Sequence, residues 1–325
     1  MRIKELRGKI YMTCTACMSV WADGLSWANA NPDRMTLMPN EADHSIVLSC
    51  QVTDLAILND LRTLEQLREC CPDKQYYVSG CLAMRDDIEL PNWINRLETP
   101  RHDYQVIHDK TLVDFEAPFW LNFKDGGRGD LFRDMYPLRI GRGCSNKCTY
   151  CTINKTRGGY AEYSPKMLEG EFRQQEDVLL VADSPSVRQI EDWCDTATRY
   201  NKPISIRNVE PSVTVKCQYA LERLAENGLL KIYHCPVQSN DKSVLLDMRR
   251  NVADTFGSIQ VCQNLKSWGT YIATNVITHY KEFDQDLTDI YTVYDYVSWN
   301  PYWNGVWDRK EAEKRWDKYL REEKT

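Results

Sequence analysis

Apolar residues in this 325-residue chain fall into two alternating arrangements along most of its length. Short runs dense in β-branched and aromatic residues read as strands buried on both faces: 9–17, 45–50, 75–81, 136–142, 178–183, 203–207, 229–235, 271–277 and 294–299. In the second half, 185–200, 215–227, 241–250 and 255–268 carry helical spacing, and Gly228 closes the second of these. Strands alternating with helices imply parallel sheets in an α/β fold. The pattern predicts an N-terminal open parallel α/β domain over 1–105, a linker over 106–135 and a six-stranded domain over 136–307. A C-terminal helix over 308–325 alternates Lys and Arg with Glu, as a solvated helix does, and Trp316 and Tyr319 are spaced to dock it.

Composition narrows the function classes. Of the residues, 42% are hydrophobic, enough for a large core, and the net charge of −6 argues against broad, non-specific nucleic-acid binding. No run of about 18 apolar residues offers a membrane span. The first residues lack the apolar core of a signal peptide, so a cytoplasmic protein, and a monomer, is expected. Thirteen cysteines in such a chain point to metal ligation in a reducing compartment.

Three of those cysteines stand close together: Cys144, Cys148 and Cys151, spaced C-x3-C-x2-C, with Thr156-Arg-Gly158 just beyond. Three thiolates at this spacing can hold three irons of a [4Fe–4S] cluster, leaving the fourth open to chelate a substrate or cofactor. A structural zinc site would pair C-x2-C with a second pair, and a ferredoxin run would carry a fourth Cys; neither stands nearby. Upstream, Cys17, Cys50 and Cys81 each follow a predicted strand. Parallel strands place their carboxyl ends on one edge, where ligand sites form, so these three can converge on a second cluster. Cysteine as a small core hydrophobe at strand ends is the plainer alternative. Cys14 competes with Cys17 as first ligand, and Cys70 and Cys71, before Pro72 at a helix end, read as structural.

The spacing and the aromatic residue before Cys151 resemble the radical S-adenosylmethionine (SAM) superfamily, and the two cysteine sets together resemble its methylthiotransferases. Ala16-Cys17 with Asp23, Leu-Ser-Cys50, and Gly80-Cys81 with Ala83 correspond to that family's three N-terminal cysteines, although Val20 stands where the family has Asn. Pro236-Val-Gln-Ser239, followed by Asp241, Val244, Leu245, Met248 and Arg249, matches a family segment, as do Arg207, Thr156-Arg-Gly158 and Ser164-Pro165. After the fifth strand the family has Gly-Phe-Pro-Gly-Glu-Thr, where the adenine of SAM packs. This chain has Thr278-His-Tyr-Lys-Glu282-Phe, keeping Glu282, Asp286 and Leu287 in register but losing both glycines.

The resemblance implies a partial (β/α)6 barrel, two [4Fe–4S] clusters, SAM as cofactor and conversion of C–H to C–SCH3. Cys144, Cys148 and Cys151 would serve radical formation, and Cys17, Cys50 and Cys81 sulfur transfer. It also implies cofactor contacts from Tyr150, Asp183, Arg207, Gln238, Asn275 and Glu282, and an electron donor such as flavodoxin or ferredoxin. The expected substrate is tRNA at adenosine 37, with a ribosomal protein as the alternative, better suited to an acidic enzyme. A non-catalytic Fe–S or zinc protein on the same scaffold is the reading of a different class. The family's C-terminal RNA-binding β-barrel has no counterpart in the chain, so a minimal form is expected. His279 could touch cofactor or be solvated. Arg207 could bind a carboxylate or form a surface ion pair. The aromatic segment 299–307 is expected to pack on the open side of the barrel, with base stacking as the alternative.

Overall fold

The computed structural model describes residues 1–51, 53–98, 131–132, 135–157, 160–281, 283, 287 and 290–322. The expected linker therefore lies almost wholly outside the described residues, as does Glu282. Contacts divide the chain into two compact units, 1–122 with 303–325, and 123–302.

The first unit is built on a parallel sheet of four strands in the order β1-β2-β3-β4: Ile10–Cys14, His44–Ser49, Gln75–Gly80 and Ile94–Arg96. β4 has too few apolar residues to announce itself in the sequence. Helix Met18–Ala30 follows β1, and helix Asp54–Cys70 follows β2. Thr53 starts the latter by accepting the Ala56 N–H at 3.1 Å, supplying one bond that the first turn lacks. Cys70 and Cys71 end that helix, as the sequence indicated.

The aromatic segment departs from expectation. Trp303 and Trp307 pack against the cluster of Val47, Ile57, Val78 and their neighbours in the first unit, where the sequence pointed to the second. Arg85 explains the preference. Its guanidinium donates to Gly305 O at 2.9 Å and lies over the Trp303 ring at 5.7 Å. The contact division accordingly places Trp303 onward with the first unit. Helix Arg309–Glu322 continues onto the same unit. Arg309 grips Glu65 through two bonds of 2.9 and 3.2 Å, Arg315 pairs with Asp54, and Trp316 lies under Arg62 at 5.1 Å. The Tyr319 side chain is outside the description.

The second unit is a six-stranded parallel sheet in the order β12-β11-β10-β9-β8-β5. Its strands are β5 Tyr136–Arg139, β8 Val178–Val181, β9 Ile204–Arg207, β10 Leu230–His234, β11 Tyr271–Thr278 and β12 Tyr296–Pro301. Sequential order with helical crossovers is what the alternating pattern required. Two details differ. The first strand stops at Arg139, and Gly141–Arg142 (β6) leaves the sheet to pair antiparallel with Ala161–Glu162 (β7). The helix expected over 215–227 is two, Pro211–Lys216 and Gln218–Glu226, meeting at Cys217. Among the described residues no helix is long and apolar enough to cross a membrane.

Candidate active site

The cysteine loop leaves the sheet directly after β5 and β6. Asp183, just beyond β8, fixes its start: the carboxylate accepts the Gly143 N–H at 2.9 Å and an Arg139 N–H at 3.0 Å, with Arg157 at 3.8 Å. Burial alone would push this carboxyl up. The Arg139 and Arg157 guanidiniums and the Gly143 N–H outweigh burial and bring it down to about 2. Asp183, expected among the cofactor contacts, thus has its carboxylate engaged in holding the loop. Arg139 was not singled out in the sequence, because nothing local tells a strand arginine that it will be buried.

The far end of the loop is sewn to the segment after β10. Thr149 N–H donates to Met248 O at 3.3 Å, and Thr149 Oγ1 lies 2.9 Å from Asp247 O. Arg250 donates to the Tyr150 hydroxyl at 3.1 Å and to Pro236 O at 2.9 Å. Tyr150 packs against Val244, Met248, Ile277 and Tyr280, so its ring lines this end of the unit.

Between these anchors stand three free, half-buried thiols, Cys144, Cys148 and Cys151. Cys144 accepts the Asn146 N–H at 3.4 Å. Burial pushes its thiol up. It pushes Cys151 up to about 12, and the charges of Cys148 and Cys144 act the same way. Thiolates this close repel one another until a cationic group joins them, which is the electrostatic character of a metal-cluster site. Among the described residues no three His, Cys, Asp or Glu side chains come together as donors to a single metal ion. A [4Fe–4S] cube asks for something else, one thiolate to each of three irons.

The other predicted contacts divide. Gln238 and Asn275 are brought together: Gln238 donates its N–H to Asn275 O at 2.8 Å and accepts the Ile277 N–H at 2.9 Å, at φ +70°. The buried Asn275 Oδ1 accepts no hydrogen bond among the described residues. A buried orphan acceptor at a strand's carboxyl half suits a polar cofactor group. Arg207 is buried at the end of β9, its guanidinium 5.5 Å above the Phe132 ring, so it does not lie on the surface. His279 is exposed, as a solvated loop residue. The loop that lost its glycines still turns in the left-handed region, with His279 at φ +53° and Lys281 at φ +51°. Such residues cost about 1–2 kcal/mol each outside glycine.

In the first unit the three strand-end cysteines share one edge. β1, β2 and β3 run parallel in the register Cys14, Leu48, Ser79. Cys50 and Cys81 each follow a strand by one residue. Cys17 opens helix Met18–Ala30, its carbonyl accepting the Val20 and Trp21 N–H groups at 2.9 and 3.1 Å. Cys50 and Cys81 join Cys14 and Ala16 in one buried cluster, with Cys17 packed against it. Cys14 is buried, and burial pushes its thiol up, whereas Cys17 is partly buried. The sequence reading missed Asp60. Buried on helix Asp54–Cys70, it accepts the Cys50 N–H at 2.9 Å and the Thr15 hydroxyl, so one carboxylate joins two of the cysteine-bearing loops.

Comparison with known proteins adds identity to this geometry. The family model described as the Radical SAM superfamily matches residues 138–293. The ribosomal protein uS12 methylthiotransferase RimO of Carboxydothermus hydrogenoformans is 29% identical over 158 residues, 44% of this chain and 34% of its own. RimO of Clostridium tetani is 26% identical over 229 residues, covering 66% and 48%. The threonylcarbamoyladenosine tRNA methylthiotransferase of Xenopus laevis is 25% identical over 316 residues, covering 86% and 56%. The chain thus spans between about a third and just over half of these relatives' lengths. Among solved structures, the radical SAM methyltransferase TsrM of Kitasatospora setae with tryptophan and aza-SAM superposes with a TM-score of 0.55. It covers 90% of this chain and 73% of that one at 8% identity, a likeness of fold alone.

Proposed function

We propose that the chain is a radical SAM methylthiotransferase, which replaces an unactivated C–H bond of a macromolecular substrate with C–S–CH3. The observation that carries the reading is the presence of two cysteine triplets, one in the loop after β5 and β6 and one along the strand ends of β1 to β3. The superfamily's [4Fe–4S] cluster and SAM would supply hydrogen abstraction when bound, and the protein's part is to bind, orient and exclude water. Cys144, Cys148 and Cys151 would hold three irons. Asp183, with Arg139 and Arg157, sets the start of their loop, and Thr149 and Arg250 its end. Gln238 and Asn275 line the strand ends, where the orphan Asn275 Oδ1 would accept a donor of SAM. Cys17, Cys50 and Cys81 would hold a second cluster for sulfur. Cys17 is taken as the first ligand, with Cys14 as the alternative.

For substrate we take tRNA, at the adenosine 37 position, on the strength of Thr156-Arg-Gly158 and Pro236-Val-Gln-Ser239. A second reading, a ribosomal-protein side chain, is favoured by the net charge of −6, which suits a basic protein partner. Incubation of the reconstituted protein with SAM, sulfide and a reductant, or a flavodoxin or ferredoxin donor, against total tRNA and ribosomes tests both. A gain of about 46 Da, SCH3 for H, on a tRNA nucleoside or on a ribosomal protein decides between them. If alanine at Cys144, Cys148 and Cys151 leaves reductive 5′-deoxyadenosine formation intact, the radical reading fails.

A further inference from the structure

Tyr280 lies 131 residues from Thr149 in the chain, yet their hydroxyl oxygens are 3.0 Å apart. The Tyr280 hydroxyl also donates to Asp247 Oδ2 at 2.6 Å. Thr149 sits between Cys148 and Cys151, and its own hydroxyl is 2.9 Å from Asp247 O. Two hydroxyl protons therefore serve three short contacts. The Tyr280 proton goes to the carboxylate, and the Thr149 proton faces both the Asp247 carbonyl and the Tyr280 oxygen. The Tyr280 ring is fully buried, edge-on to Tyr302 at 4.8 Å and stacked on Phe283 at 6.0 Å. Lys281, the next residue and one of the two left-handed positions of this turn, pairs with the same Asp247 carboxylate, so Tyr280 and Lys281 both hold it.

We propose that Tyr280 is a positioning residue: its hydroxyl, through Thr149 and Asp247, fixes the Cys148–Cys151 half of the cysteine loop for cluster binding. The inference rests on the radical-cluster reading of Cys144, Cys148 and Cys151. It does not involve the second cysteine set. Ordinary ring packing would be served equally by phenylalanine, so the hydroxyl is the part that distinguishes positioning from core filling.

The test compares the full chain with Tyr280→Phe and Thr149→Val. In the metal-free proteins, amide hydrogen exchange over residues 144–151 should speed up in both variants by more than it does over the strands of the second unit. In the anaerobically reconstituted proteins, iron release to a chelator should be about tenfold faster, the factor expected from losing one hydrogen bond to a charged group. The double variant should release iron no faster than Thr149→Val, because both substitutions cut one chain of contacts. Unchanged exchange and release in Tyr280→Phe would overturn the proposal, as would simple additivity of the two. If Tyr280→Phe fails to fold, the hydroxyl is part of the core, and Thr149→Val must still speed exchange for the tether to stand. If the wild-type chain takes up no iron, the functional reading fails, while the exchange experiment still judges the tether.

Discussion

At the scale of single residues, the second unit's site depends on charges buried for a reason. Arg139 and Asp183 are both nearly inaccessible, and each offsets part of the other's cost of burial. Asp183→Asn should cost about 3–5 kcal/mol, since it takes a carboxylate away from two buried guanidiniums. Urea unfolding of the metal-free chain measures it. The pH dependence has a definite sign. A carboxyl held at about 2 in the folded chain, against ~3.9 when unfolded, contributes stability that is fully present above pH ~4. That contribution is lost as pH falls from ~4 towards 2. Asp183→Asn should therefore flatten the stability profile in that window and leave neutral pH offset by a constant. A profile that stays as steep in the variant would assign the acid sensitivity to other carboxylates.

At the scale of elements, the strand-to-loop junctions set where the cysteines point. Gly80 ends β3 at φ +90°, and a Cβ there would meet Ser49 O at 2.6 Å. The close approach lets Cys81 donate its N–H to Ser49 O at 3.2 Å, placing Cys81 beside the end of β2. Gly80→Ala should cost about 2–4 kcal/mol through backbone strain and overpacking, and should reduce iron bound by the first unit. Thermal unfolding together with iron analysis checks both. A stable variant with unchanged iron would mean the junction is more pliant than its backbone suggests. The loop after β11 shows the opposite solution. There, left-handed backbone is held at His279 and Lys281 without glycine, with Tyr280 buried between them and Lys281 paired to Asp247.

At the scale of the whole molecule, the two units are expected to divide the chemistry. Serine at Cys17, Cys50 and Cys81 keeps size but is a poor ligand for soft iron–sulfur chemistry. That triple variant should fall from about eight to about four irons per chain. It should retain reductive SAM cleavage and form no methylthio product. Equal loss of SAM cleavage in both cysteine triple variants, with iron still present, would refute the division. A Cys17→Ser variant that kept its second cluster would move the first ligand to Cys14. The segment 303–322 belongs to this picture as part of the first unit, since Arg85 reaches both Gln51, next to Cys50, at 3.0 Å and Gly305 at 2.9 Å.

The sequence by itself determined whatever depends on neighbours along the chain. The C-x3-C-x2-C spacing is local, so the cluster loop was legible without any fold. The alternation of apolar runs with helical spacing specified parallel sheets, because strand and helix periods are set within a few residues. Tertiary structure decided which distant groups meet. Nothing near Asp60 signals that it will take the Cys50 N–H, and nothing near Thr149 signals Tyr280. The aromatic segment after residue 302 illustrates the limit. Its tryptophans had to be buried somewhere, but burial is non-directional. The Arg85 fork holds the tryptophan segment on the first unit, and Glu65 and Asp54 hold the helix that follows it.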